Sequence, residues 1–277
     1  MNTLDQTAPA PKTSAFANPL IKKLGRVTEQ SPDHAVSYHG VAAKTLFFMI
    51  AVAVGVASFF IFHKVLAVGG AMEADGFTIY PFEGAFALVA LFVSGFAPFL
   101  AFLIRPLVPV LGLIYCLSIG YAITWLAATV IPTYSGIVFL ALGITIVLVA
   151  VMAFLYASGA IKVGKRFRAV VITLFITAAL SGVIGFVLSF IPGLHDTMQY
   201  VTSNPIVSLI GGVLYIILAC AMLLVDFDAI QRAVDNQLPK KYEWIAAFGL
   251  AYTIIYLFLK VFSLLASVKG NSSSSKS

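Results

Sequence analysis

Seven long, almost wholly apolar runs divide this chain, at roughly 45–68, 82–104, 107–130, 136–157, 170–191, 206–225 and 244–268. A helix needs about 20 apolar residues to cross a hydrocarbon core of about 30 Å, so each run is long enough to span a bilayer. Strands of a membrane barrel would instead show alternation over about ten residues, which these runs lack. The chain is 61% hydrophobic and 10% charged, whereas soluble domains carry roughly a quarter charged residues. No globular core could hide so much apolar surface. The expected fold is therefore all-α: a polytopic protein of seven transmembrane helices in a lipid bilayer.

The breaks between runs are short and carry helix punctuation: Arg105 and Pro106, "IPTYSG", and "IPGLHDTMQYVTSNP". Tight breaks make sequential helices antiparallel neighbours. The basic residues alternate with the breaks. Lys12, Lys22, Lys23, Arg26 and Lys44 precede the first run. Arg105 follows the second, Lys162, Lys165, Arg166 and Arg168 follow the fourth, and Arg232, Lys240 and Lys241 follow the sixth. The other three breaks hold no Lys or Arg. Cytoplasmic loops are enriched in Lys and Arg, so the N-terminus is expected in the cytoplasm and the C-terminus outside. The net charge of +6 follows from that loop bias and does not point to nucleic acid. Residues 1–42 contain no apolar signal segment and read as a flexible cytoplasmic arm. Residues 43–268 form the membrane domain, and "KGNSSSSKS" at 269–277 reads as a disordered tail.

Eleven acidic residues are present, and none lies between Gly84 and His195. At membrane depth the carboxylates in reach are Asp226 and Asp228, at the end of the sixth run; the rest read as loop or arm residues. Two positions along a helix are about 200° apart, so this pair faces opposite ways. Asp228 and Arg232, four apart with the acid first, suit a structural salt bridge. Asp226 points elsewhere. It is either an interface anchor or an inward group on an ion or proton path, with Arg105 the candidate cation beside it. Arg105 equally suits a role in fixing topology.

In the last run Gly249, Thr253, Tyr256, Lys260 and Ser263 recur at helical spacing and form a polar stripe, suited to close packing or to a pore. Lys260 is expected to snorkel outward. His63 and His195 read as lone interfacial histidines, and Cys116 and Cys220 as small hydrophobes. No metal-ligand spacing, nucleophile elbow or phosphate loop is present, so an enzyme, a bound cofactor and a metal site are not expected.

The stretches "YSGIVFLALGI", "LYASGAIKVGKRFRAVV" and above all "LLVDFDAIQRAVDNQLPKKYEWIAAFGLAYTIIYLFLKVF" resemble the Bax-inhibitor family (transmembrane Bax inhibitor motif proteins), in its bacterial branch. The resemblance covers most of residues 40–268. It implies six helices around a central seventh and, for members studied as transporters, a pH-sensitive calcium leak. In such members an aspartate ending the sixth helix pairs with one on the seventh. Asp226 matches the first, with Ile230 four residues on as in the family pattern. Thr253 stands where the second would be, and Tyr256 where an asparagine is common. Without the second carboxylate, a pH switch and a calcium site should both be weaker.

Two functions are thus expected. One is a cation leak, with calcium as the transported ion and pH gating near Asp226, Asp228, Arg105 and Thr253. The other is a non-conducting regulator in the membrane that binds a protease, stress factor or other membrane protein. The expected location is a bacterial inner membrane.

Overall fold

The computed structural model describes residues 35–65, 72–74, 77–79, 81–130, 135–188 and 204–274. Among the described residues seven long helices are present: α1 (Tyr38–Val65), α2 (Pro81–Leu103), α3 (Val108–Val130), α4 (Ser135–Ala157), α5 (Lys165–Leu188), α6 (Pro205–Asp235) and α7 (Glu243–Ser274). Between α1 and α2 a short antiparallel hairpin pairs β1 (Met72–Ala74) with β2 (Phe77–Ile79). Among the described residues, six helices have the length and hydropathy of a membrane span; α5, the seventh, runs for 24 residues. The chain is a multi-pass membrane protein.

Contacts at the helix ends show the alternating direction. The start of α1 meets the start of α7 through Lys44 and Glu243, and the end of α1 meets the start of α2 through His63 and Glu83. At the opposite end of α7, Ser208 donates to Ser267 at 3.2 Å. Local chemistry sets the boundaries. Asn204 caps α6 by accepting from the Ile206 and Val207 amides, and Pro205 fills the first helical position, where a missing N–H costs nothing.

α7 is the central helix, with 61% of its span buried against 17–50% for the other five spans. It packs on α1, α3, α4 and α6, while α2 packs mainly on α3 and α5 mainly on α6. Ala246, Ala247 and Ala251 on α7 are fully buried, and small side chains of this kind let helices approach closely in lipid. α1 and α3 cross at backbone contact. A Cβ added to Gly55 would lie 2.3 Å from the Leu117 carbonyl oxygen, and one added to Gly120 2.3 Å from that of Val52.

Two boundaries differ from the sequence reading. α1 opens at Tyr38, and residues 35–37, at the end of the expected arm, are docked. Ala35 bridges Pro239, and the Val36 amide donates to the Leu238 carbonyl at 2.7 Å. At the other end, α7 continues to Ser274, six residues into the stretch read as disordered, because each added residue of a formed helix gains a hydrogen bond. Residues 1–34 of the arm and 275–277 of the tail lie outside the described residues, as do His195 and the α5–α6 connection.

Candidate functional site

α6 stays helical to Asp235, which separates its two aspartates onto opposite faces. Asp226 is turned to α7 and is 0% exposed. Its Oδ2 accepts the hydroxyl of Thr253, itself 3% exposed, at 2.5 Å. The same hydroxyl lies 3.2 Å from the Gly249 carbonyl oxygen, but its single proton can serve one acceptor at a time. Oδ1 of Asp226 is buried with no hydrogen-bond partner among the described residues. The seam between α6 and α7 therefore holds a carboxylate with one oxygen satisfied and one open to a proton or a cation.

Asp228 looks the other way and is 13% exposed. Arg232, four residues on, reaches it at 3.1 Å. A second guanidinium, from Arg168 in the first turn of α5, comes closer still, at 2.7 Å, and is 1% exposed. The cation expected beside Asp226 is not there. Arg105 sits half-buried in the 3-10 turn Arg105–Leu107, which packs on α2 and α3, and it makes no ion pair or hydrogen bond with Asp226.

The structure adds two carboxylates that the sequence reading placed in loops. Glu243, at the start of α7, is fully buried. It pairs with Lys44 and accepts from the Ser37 amide and hydroxyl, each at 3.1 Å. Glu83, in the first turn of α2, is equally buried and lies 2.7 Å from Nδ1 of His63. His63 is thus a paired histidine. Hydropathy loses these acids because each begins a helix, just where an apolar run starts. Arg168 was hidden in a basic cluster that reads as topology. Its signal was register: it shares the i, i+3, i+7 face of α5 with Val171 and Phe175.

Along α7 the polar stripe grades from inside to outside. Gly249 and Thr253 are buried, Tyr256 and Lys260 are half-buried, and Ser263 is exposed. Lys260 does not simply reach outward. Its ammonium lies over the rings of Tyr215 on α6 and Tyr256, 4.4 and 5.2 Å from their centroids, a cation–π arrangement.

A family model described as "Bax inhibitor 1 like" matches residues 12–270. The chain belongs to the Bax inhibitor 1-like family. No curated protein and no solved structure matches it. The match runs through every helix, from α1 to within a few residues of the end of α7, so Asp226 and Thr253 both lie inside the Bax inhibitor 1-like region. Within that region the carboxylate on α6 faces a hydroxyl on α7.

Proposed function

We propose that this protein is a membrane cation leak, most suited to calcium, whose gate is the Asp226–Thr253 contact near the cytoplasmic end of α6. One observation carries the reading. Asp228, Glu83 and Glu243 each face a cationic or protonatable side chain, whereas Asp226, fully buried, has the Thr253 hydroxyl as its one polar side-chain partner among the described residues. An ionisable group left unneutralised inside a helix bundle is expensive, and such groups mark ion and proton paths. The oxygens gathered there, from Asp226, Thr253 and the Gly249 carbonyl, are the hard donors calcium prefers, and too few to hold it tightly. A weak site suits passage better than storage. The protein conducts in this reading and does not catalyse. It sits in a bacterial inner membrane with its N-terminus in the cytoplasm.

The test is calcium flux into proteoliposomes across pH 5–8 for the native protein and Asp226→Asn. A pH-dependent flux that the substitution alters supports the leak. No flux above empty liposomes, from folded protein, retires it.

A second reading has its own support. Ala35 and Val36 dock on the α6–α7 connection, which ties the arm to the bundle and suits a regulator that binds a membrane protease or stress factor through that arm. On this non-conducting reading, deletion of residues 1–34 abolishes partner capture, and the purified protein passes no calcium above empty liposomes.

A further inference from the structure

α5 lies across the place where α6 and α7 meet. Val171 of α5 packs with Met222 and Val225 of α6, joined by Phe167, Ile172 and Phe175. Phe175 also reaches past α6 to α7, where its ring meets that of Tyr256 edge-on, 5.6 Å between centroids. Tyr256 is one helical turn from Thr253, and Val225 directly precedes Asp226. α5 is thus seated over the α6–α7 seam that holds the buried carboxylate, yet its packing is mainly on α6. Its apolar contacts alone hold it loosely, since lipid tails compete for them on equal terms.

One polar contact fixes the cytoplasmic end of this cover. Arg168 is almost completely buried and its guanidinium lies 2.7 Å from Asp228. Arg232 satisfies Asp228 further, but that pair lies within α6. We infer that Arg168 is a positioning residue, pinning α5 over the α6–α7 seam through Asp228, and that its release opens a cytoplasmic route to Asp226. This inference rests on the leak reading for its consequence in transport, though not for its geometry.

The full-length protein in proteoliposomes is treated at acidic pH with a water-soluble carbodiimide and an amine. Modification of each carboxylate is then read by mass spectrometry, beside calcium flux. In Arg168→Gln, Asp226 modification is expected to rise roughly tenfold, equivalent to about 1.4 kcal/mol in the opening equilibrium. Glu83 and Glu243 should stay protected. The exchange Arg168→Asp/Asp228→Arg restores an ion pair between α5 and α6 and should return Asp226 to protection. Raised Asp226 modification together with raised flux supports the pin and the leak. Raised modification without flux in any variant supports the pin and removes the leak reading. Unchanged Asp226 modification overturns the pin. So does equal exposure of all three carboxylates, which would make Arg168 a residue of global stability, and so does failure of the exchange to restore protection.

Discussion

Asp226 differs from Glu243 and from the partly buried Asp228 by what it lacks among the described residues. Glu243 has an ammonium and two further donors, and Asp228 has two guanidinium groups, while Asp226 has the Thr253 hydroxyl. Removing that hydroxyl isolates the carboxylate, and an unmet buried acceptor costs about 1–3 kcal/mol, more if charged. Thr253→Val is therefore expected to lower thermal stability in detergent and to change the rate of calcium flux; an unchanged rate would separate Thr253 from the gate. Thr253→Asp has the opposite logic. Two carboxylates in contact share a proton because both cannot ionise at once, so this variant should steepen the dependence of flux on pH. Helical spacing set Asp226 on the face opposite Asp228 and Thr253 on the polar stripe of α7, while the placing of Thr253 opposite Asp226 came from the family resemblance. The sequence did not carry the company of Asp228, because a nearby Arg232 already gave that acid a partner and nothing local indicates that Arg168 folds back onto it. Arg105 misled for the same reason: sharing a membrane side does not place two residues in contact.

At the scale of elements, the packing is decided by small residues and by one clasp. Gly55 and Gly120 let α1 and α3 cross at backbone contact. Gly55→Ala should cost about 1–3 kcal/mol through overpacking, seen as a lower melting temperature with little change in helical signal. The clasp joins the start of α1 to the first turn of α7. A Cβ on Gly40 would fall 2.2 Å from Oε1 of Glu243, so Gly40→Ala must displace the carboxylate that Lys44 and Ser37 hold. Breaking a buried pair from one side costs roughly 3 kcal/mol or more, and Glu243→Ala should show that loss in the same melting experiment. The helices themselves were legible, since runs of this length and hydropathy have one stable form in lipid. The clasp was not. Ser37 and Lys44 lie about 200 positions from Glu243, and each of the three looks like an ordinary loop residue where it stands.

For the molecule as a whole, the central position of α7 makes it the element through which changes elsewhere are felt. It touches the clasp at Glu243, the seam at Thr253 and the aromatic-held Lys260 further out. The orientation expected from the loop charges predicts that a reporter active only outside the cytoplasm works when fused to the C-terminus and fails when fused to the N-terminus. The reverse pattern would invert the membrane placement and put the proposed gate at Asp226 on the outer side. The proposed function turns on a narrower point: that Asp226, with no cation paired to it among the described residues, carries ions while the neutralised carboxylates hold the fold. The most direct measurement is calcium flux into proteoliposomes for Asp226→Asn beside Glu243→Gln, each shown to be folded. Flux altered by the first substitution and preserved by the second is the expected result. Equal effects of both, or an effect of Glu243→Gln alone, would contradict it.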